Sequence, residues 1–356
     1  MGELEKALGM ENELATHLLA FVFVRLSTHY TIPVGYYFTR STTGEQLHHL
    51  TMHLIRSVED AGFEVVRLVA DNHSSNCRMF SILSNGAIQP VVHPMNDNRR
   101  LFLAFDHCHI LKNERNQLLA PNLFLCNGGE YYSPKYLRML VDIIERQRVQ
   151  ASPAPHKEAR VSYELREDER QESSRRVFAR ATLRYLQQYG RRFGVLGFED
   201  SLPTIHFMEM IHKWFTIHNI RSTTFYVITR DPDRMPFSSC DDDRLSWLEN
   251  EFLPFFAAWK ETAPDKRAFI SLETYEALQI TTRSTVESTK FLLRSGFIYV
   301  LTAKFSSDPV EALFSTVRQL NGSNDQTDAR AALSSLQKVL AMGIIHSLKA
   351  VAQNEL

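Results

Sequence analysis

Cysteine is scarce in this sequence: its 356 residues include four cysteines, and no two of them are spaced as a CxxC pair. That spacing excludes a disulfide framework and a zinc module of the common kind, and it is typical of a reducing compartment. Long apolar runs are also lacking, because the longest, Leu18 to Val24, is much shorter than the roughly 20 residues that cross a bilayer. We therefore expect a soluble, intracellular protein without a membrane partner.

An excess of charge of one sign is lacking as well. The formal net charge is −1, so any surface for nucleic acid must be a local patch. The best candidate runs from Lys157 to Arg192. Four of its arginines are spaced to share one side of a helix: Arg175, Arg176, Arg180 and Arg184. Contact with a phosphate backbone and a solvated helix with local Glu/Arg pairs are both compatible with this run.

The first third of the chain alternates strand-like and helix-like patterns. A helix is predicted from Gly44, where apolar residues recur at helical spacing until Gly62 ends the pattern. Runs rich in β-branched and aromatic residues predict four strands: Leu18 to Leu26, Val34 to Thr39, Glu64 to Ala70 and Leu101 to Phe105. These elements indicate an α/β sheet domain.

The middle of the chain changes to a helical pattern. Helical periodicity dominates from Pro134 to Arg294, apart from a Pro/Ala/Ser-rich linker between Arg148 and Lys157. Strand character returns at Phe297 to Thr302. A helical block is therefore predicted to be inserted into the α/β domain.

Two acidic segments flank this helical block. Asp71 ends the apolar run 64–70, and functional side chains collect at the carboxyl ends of strands in α/β sheets. Glu311 lies in a segment that opens a helical pattern at Asp308. If the fold brings Asp71 and Glu311 together, they form most of a Mg²⁺ site for cutting and joining nucleic acid, since such sites share carboxylates between metal ions.

Three segments carry a resemblance to a known family. Val69-Ala70-Asp71-Asn72 followed by Asn76, the segment DHCHILKNERN from Asp106, and DPVEALFSTVRQLNGSND from Asp308 resemble blocks of the P element transposase family. In that family the second block reads DPPHLIKNIRN and the third reads DPLENFFGxIRxxGGxND. The family includes domesticated relatives that carry a THAP DNA-binding domain.

The resemblance implies an RNase H-like mixed sheet domain interrupted by a mostly helical, GTP-binding insertion domain. The implied domains are residues 1–130, the insertion at 131–304, and closing helices at 305–356. Asp71 and Glu311 would be the second and third catalytic carboxylates and would hold Mg²⁺, and Asp308 would contact the guanine of GTP. The implied partners are DNA at transposon ends, GTP and another copy of the chain, and the implied location is the nucleus. A GxxxxGK[ST] loop is absent, so the expectation of GTP binding comes from the resemblance alone.

The sequence departs from the family at its start. In the family, the first catalytic aspartate lies on the opening strand, upstream of the segment that Leu18 to Thr39 resembles. Here no aspartate or glutamate occurs between Glu13 and Glu45, the four earlier glutamates lie in a helix-like stretch, and the family's zinc-containing N-terminal module has no counterpart. We therefore expect an N-terminally truncated, transposase-derived protein that retains two of three catalytic carboxylates and is inactive alone. The alternatives are an active Mg²⁺-dependent transposase or nuclease core completed by upstream sequence, and a domesticated, non-catalytic DNA- or GTP-binding protein.

Each candidate residue also has a simpler interpretation. Asp71 is a suitable N-cap for a helix at Ser74 to Leu83, and Glu311 would favour the positive end of a helix dipole. Asp106 is expected to be a cap or structural residue. The adjacent side chains of His107-Cys108-His109 point in different directions, which argues against a zinc site.

Overall fold

The computed structural model describes residues 15–28, 30–86, 91–120, 125–150, 177–178, 180–188, 197–322 and 328–354. The chain divides into two compact units. Unit 1 contains residues 1–101 and 306–356, and unit 2 contains residues 102–305. The predicted linker between Arg148 and Lys157 lies mostly outside the described residues.

Unit 1 is built on an antiparallel strand pair, β1 (His17–Val24) and β2 (Thr31–Thr39). The register runs from His17 opposite Thr39 to Val24 opposite Thr31, with a bulge between Phe21 and Val22. Side chains alternate between the two faces of each strand, and helices pack on both faces of this pair.

One face of the β1–β2 pair packs against the C-terminal helices α11 (Asp308–Leu320) and α12 (Ala329–Asn354). Leu313 and Val317 of α11 form the buried centre with Ala332 and Leu336 of α12. The strand residues packed against them are Leu18, Ala20, Val22, Tyr36 and Phe38. This cluster fixes α11, which carries Asp308 and Glu311, to the strand pair.

Helix α1 (Gly44–Asp60) packs against β2. It begins with a capping box, in which the Thr43 side chain accepts a hydrogen bond from the Gln46 N–H and the Gln46 side chain accepts one from the Thr43 N–H. A Cβ atom at Gly35 would lie 2.9 Å from Leu54 Cδ1, so glycine allows the helix to approach the strand closely. The predicted helix is confirmed, and its apolar stripe is buried.

A second sheet has the strand order β3-β5-β4, with β3 at Arg67–Ala70, β4 at Val91–His93 and β5 at Asn96–Phe105. Strands β4 and β5 are antiparallel. The short helix α2 (Ser74–Leu83) follows β3 and packs against α1.

Glu59, near the end of α1, ties this helix to the second sheet. Its carboxylate accepts hydrogen bonds from the Arg99 guanidinium on β5 and, at 2.6 Å, from the Val65 N–H just before β3. Although burial alone raises the pKa of Glu59, the hydrogen bonds from Arg99 and Val65 bring it below its ordinary value. Glu59 thus links the end of α1 both to the segment before β3 and to β5.

Unit 2 is mainly helical in its described part. Its helices are α3 (His107–Leu119), α4 (Lys135–Gln150), α5 (Arg180–Gln187), α6 (Leu202–His218), α7 (Phe225–Thr229), α8 (Asp243–Trp247), α9 (Leu253–Thr262) and α10 (Leu272–Arg294). A π-helical segment, Leu248–Phe252, joins α8 to α9, and 3₁₀ turns lie at Pro232–Arg234 and Thr302–Phe305. Two short strands, β6 (Cys126–Asn127) and β7 (Glu130–Tyr131), form a small hairpin.

Aromatic side chains fill the core of unit 2. The rings of Trp214 and Phe252 are stacked with centroids 5.8 Å apart, and Phe207 meets Trp259 edge-on at 5.8 Å. Their polar atoms are satisfied, since Trp214 Nε1 donates to Thr282 Oγ1 and Trp259 Nε1 donates to the Cys126 carbonyl, both at 2.8 Å.

The prediction of a strand at Phe297 to Thr302 is wrong. Val300 pairs with Phe237 in an isolated antiparallel bridge, and Thr302 begins a 3₁₀ turn. Ile298 and Tyr299 have the β-branched and aromatic side chains that favour strands, but both are exposed, and side-chain propensity without a partner ladder does not form a sheet.

Within the part of the chain that the structure describes, no helix has both the length and the apolar character needed to cross a bilayer.

Candidate functional site

Asp71 lies directly after β3, at the carboxyl end of that strand, and its side chain is exposed. The preceding residues Arg67–Ala70 are half-buried in the sheet, so the chain leaves the sheet at Asp71. Helix α2 begins three residues later, and its N-cap is His73. Asp71 is therefore not the helix cap, and that simpler interpretation of the residue is wrong.

One oxygen of the Asp71 carboxylate is held by two hydrogen bonds. Oδ1 accepts from the His73 backbone N–H at 3.0 Å and from Asn76 Nδ2 at 2.7 Å. Among the described residues, no hydrogen bond is made to Asp71 Oδ2. The turn thus fixes the carboxylate through one oxygen and leaves the other available.

The turn that holds Asp71 is itself braced. His73 Nδ1 accepts from the Ser75 N–H at 3.3 Å and so caps α2, while Ser75 Oγ donates to the Thr42 carbonyl at 2.8 Å. At the start of α1, a Cβ atom on Gly44 would lie 2.5 Å from Arg78 Cβ, so the absence of a side chain lets α1 and α2 meet here. The first turn of α2 is therefore anchored to α1.

Asp308 and Glu311 lie in the first turn of α11, one helical turn apart on the same side, and both are half-buried. Ser307 is the N-cap but makes no side-chain capping bond, and Pro309 occupies the start of the helix. Two carboxylates at this end are stabilised by the helix dipole. This placement agrees both with the dipole interpretation of Glu311 and with a role for it in binding a cation.

The structure places all three predicted site residues, Asp71, Asp308 and Glu311, in unit 1. Asp71 and Asp308 lie on different elements. Asp71 directly follows β3 of the second sheet, and Asp308 begins α11, the helix packed on β1 and β2. Among the described residues, no group of three or more histidine, cysteine, aspartate or glutamate side chains is arranged to hold a metal ion. The assignment of Asp71 and Glu311 as catalytic metal ligands remains a prediction.

Asp106 has a structural role in unit 2. It is the N-cap of α3, and its Oδ2 accepts a hydrogen bond from the His109 N–H at 3.1 Å. This confirms the expectation of a capping residue. The neighbouring His107 packs its ring against Phe215 and His218, with centroids 5.6 and 6.2 Å away, and the described residues form no zinc cluster here.

The arginine run lies largely outside the described residues. Arg175 and Arg176 are not described, Arg180 begins α5, and Arg184 on that helix is exposed. Whether these arginines form a surface for DNA remains a prediction.

Glu114 is an unusual residue that the sequence patterns did not single out. It lies on α3, is 0 % exposed, and neither carboxyl oxygen has a hydrogen-bond partner among the described residues. Burial raises the pKa of Glu114 to about 8. A signal was present in the sequence, because Glu114 is spaced at three and four residues from Leu111 and Leu118 and so continues the buried stripe of α3. The family block quoted above has isoleucine at this position.

Comparisons with known proteins show similarity to DNA transposases. A family model described as the TNP-like RNase H N-terminal domain matches residues 2–84, a range that includes Asp71. The human DNA transposase THAP9 is 23% identical over 218 residues, which is 60% of this chain and 24% of that protein. A Drosophila P element transposase strand transfer complex matches 92% of this chain and 71% of its own, at 19% identity and a TM-score of 0.73.

The chain is P element transposase-like in sequence and fold. The resemblance predicted from three short blocks is confirmed, and so is the fold class of an RNase H-like α/β domain with a helical insertion. This P element transposase-like chain spans about a quarter of the length of its human relative. The predicted domain boundaries at residues 130 and 304 come from the family resemblance, and they remain a prediction.

Proposed function

We propose that this chain is a P element transposase-derived protein in which Asp71 and Glu311 are two of three catalytic carboxylates, and that residues 1–356 alone do not cleave DNA. The observation that carries the proposal is the state of Asp71. It stands at a strand end within the range matched by the RNase H family model, with one oxygen fixed and the other without a partner among the described residues.

The donor atoms suit a hard divalent cation. Carboxylate oxygens are the ligands that Mg²⁺ prefers, and Asp71 Oδ2 is available to be one of them. Bound Mg²⁺ would activate a water or a 3′-hydroxyl and stabilise displacement at a DNA phosphate. In this proposal the chain's own role is to hold Asp71 through Oδ1 and to present Glu311 from the first turn of α11.

Two carboxylates do not complete such a site. Mg²⁺ requires a nearly octahedral shell, and two-metal sites share several carboxylates between the ions. The described residues contain no group of three suitable side chains. We therefore propose weak cation binding and no strand cleavage by this polypeptide. If chain outside residues 1–356 supplies a third carboxylate, the same two residues would serve an active core.

The remaining partners are proposed from the family likeness. The solved complex of the Drosophila protein is a strand transfer complex, so we propose DNA as the macromolecular partner. The likeness to DNA transposases leads us to propose the nucleus as the location. We also propose that Asp308 accepts hydrogen bonds from the guanine of GTP and that the chain forms a homo-oligomer. A non-catalytic, domesticated protein that keeps DNA or GTP binding is the alternative, and it differs from the first proposal in needing no cation at Asp71.

A strand-cleavage assay tests the catalytic proposal. Residues 1–356 are incubated with labelled transposon-end DNA and Mg²⁺ or Mn²⁺, beside an active transposase of the family as a positive control. We expect no cleavage or joining, and no change on Asp71→Asn or Glu311→Gln. Cation-dependent cleavage that is lost in Asp71→Asn would show that another acid completes the site and that the chain is active.

A crystal structure with Mn²⁺ tests the geometry. Ligands of a metal pair that is about 3.5–4 Å apart must converge, so we expect the carboxylates of Asp71 and Glu311 to face a common pocket. Their placement on opposite sides of unit 1 would refute the assignment of both residues.

A further inference from the structure

We propose that residues 297–301 of unit 2 form an edge to which a partner protein adds a β-strand, and that the added strand is apolar at its centre and acidic on its flanks. Residues 297–301 are called the 297–301 edge below. The inference goes beyond the proposed function, because it involves neither Asp71 nor Glu311.

The backbone of the 297–301 edge is paired on one side only. Val300 directs both its groups toward Phe237: its N–H donates to the Phe237 carbonyl at 2.8 Å, and its carbonyl accepts from the Phe237 N–H at 3.2 Å. Backbone groups of successive residues in an extended chain point to opposite edges, so those of Tyr299 face away from Phe237. Among the described residues, Ile298 and Tyr299 have no hydrogen-bond partner for their backbone groups. An added strand would supply these bonds.

The side chains of the 297–301 edge suit the same kind of partner. Ile298 is 85 % exposed and Tyr299 is 46 % exposed, and both residue types favour strands. Of the twelve large apolar side chains that are exposed in the described part of the chain, six lie on this edge or on the loop between α6 and α8. The four on the loop are Phe225, Val227, Ile228 and Met235. Exposed apolar side chains that collect at one place mark an interaction surface.

The loop and the edge are held together before any partner binds. Beyond the bridge between Phe237 and Val300, Thr302 Oγ1 accepts a hydrogen bond from the Ile220 N–H at 3.2 Å. The Arg244 guanidinium lies 4.1 Å from the centroid of the Phe237 ring and donates to the carbonyls of the loop, among them that of Asp233 at 3.2 Å. A surface that is already ordered loses less conformational entropy when a partner binds.

The charge of this region indicates the chemistry of the partner. Residues 221–237 and 294–304 contain five basic and two acidic residues. One of the two acids, Asp231, is paired with Arg234 at 3.2 Å. Arg230 and Arg294 are exposed. Acidic residues on the flanks of an added strand would complement this surplus of positive charge.

The same charges argue against a second copy of the chain as the added strand. Two copies paired antiparallel at Tyr299 would bring Arg294 of each copy toward Lys304 of the other. Like charges that oppose each other across paired strands are destabilising. The structure therefore favours a different protein with an acidic extended segment.

Calorimetric titration of the full chain with two synthetic peptides tests the proposal. Both peptides have a centre of alternating valine and threonine, and their flanks are either aspartates or lysines. We expect the aspartate-flanked peptide to bind about tenfold more tightly than the lysine-flanked one. Hydrogen–deuterium exchange at residues 297–301 should slow when the first peptide binds, because the amides become paired.

Two pairs of variants separate the backbone from the charge. Tyr299→Pro removes the outward N–H and should weaken binding of the aspartate-flanked peptide about tenfold, whereas Tyr299→Thr keeps the N–H and should retain most of the affinity. Arg294→Glu should also weaken binding about tenfold. Arg283→Glu is its matched control, since this arginine is exposed on the same helix, α10, and it should bind as the wild type does. Circular dichroism shows that each variant is folded.

The outcomes decide between the possible occupants. Equal binding of the two peptides, or no binding of the aspartate-flanked one, overturns the proposal. Binding that survives both Tyr299→Pro and Arg294→Glu places the peptide elsewhere and overturns it too. If the chain self-associates in sedimentation velocity without peptide, and Tyr299→Pro abolishes the self-association, the added strand comes from a second copy and the proposed acidic partner is wrong.

Discussion

Replacing Glu114 by glutamine should stabilise unit 2 at neutral and alkaline pH. The Glu114 carboxyl group is fully buried on α3 and has no hydrogen-bond partner among the described residues, so its charged form is strongly disfavoured in the folded chain. Glutamine has nearly the same shape and cannot ionise. The comparison between the two side chains therefore isolates the cost of keeping this carboxyl protonated.

The magnitude follows from the two pKa values. Burial raises the pKa of Glu114 from 4.5 to about 8 in the folded state. Between these values the folded state binds more protons than the unfolded state, so stability falls as pH rises, by about 1.4 kcal/mol per pH unit. The contribution is fully present below pH 4.5 and fully lost above pH 8. At pH 7 the loss is on the order of 3 kcal/mol, and at its limit it is on the order of 5 kcal/mol.

Urea unfolding followed by tryptophan fluorescence measures the stability of unit 2. The three tryptophans of the chain, Trp214, Trp247 and Trp259, all lie in that unit. We expect wild type and Glu114→Gln to have similar unfolding midpoints near pH 4.5, and the variant to become steadily more stable up to pH 8. Glu114→Ile should follow the same trend and also remove the buried polar group.

Glu251→Gln is the matched control, since this glutamate lies in the same unit and is exposed. Its unfolding midpoint should follow that of the wild type at each pH. A free-energy difference between wild type and Glu114→Gln that stays constant from pH 5 to 8 would refute the reasoning, because it would mean that the buried carboxyl does not titrate with folding.

Two further predictions concern unit 1. Glu59→Gln should make the chain less sensitive to acid. Hydrogen bonds from Arg99 and Val65 hold the pKa of Glu59 below its ordinary value, so its contribution to stability is present above pH 4.5 and is lost as the pH falls below that value. An acid unfolding profile that does not change, followed by circular dichroism, would contradict this. Asp308→Asn should weaken GTP binding by about 1.5–3 kcal/mol, the usual range for a hydrogen bond to a charged group. A calorimetric titration measures this change, with ATP as the control nucleotide. Equal binding of both nucleotides by the wild type would argue against a guanine contact.

Local patterns predicted the parts of the fold whose causes are local. Helix α1 was predictable because its apolar stripe, its start near Gly44 and its stop at Gly62 all lie within one short segment. Strands were harder, since a strand exists only with a partner. The predicted strand at Glu64 to Ala70 shortens to Arg67–Ala70, and the one at Phe297 to Thr302 reduces to a single bridge. No local pattern carries the position of the neighbouring strand.

The candidate site shows the same division. The position of Asp71 at a strand end was predictable from an apolar run that stops at a carboxylate. Its hydrogen bonds to His73 and Asn76 were not, because they depend on the backbone path through the turn rather than on residue type. The burial of Glu114 was available from helical spacing but conflicts with the general preference of glutamate for the surface.

Two aspartates of this chain occupy comparable positions in the fold. Asp71 and Asp106 each follow a strand and precede a helix, so the sequence gives them equivalent settings. Asp106 is 1 % exposed and caps α3 through the His109 N–H, and a cap of this kind stabilises a protein by about 1 kcal/mol. In the turn after β3, His73 rather than Asp71 caps α2. The Asp71 carboxylate is exposed, and its Oδ1 accepts hydrogen bonds from His73 and Asn76. The two aspartates therefore share a place between a strand and a helix but hold it differently: Asp106 caps α3, whereas Asp71 holds the turn that leads into α2.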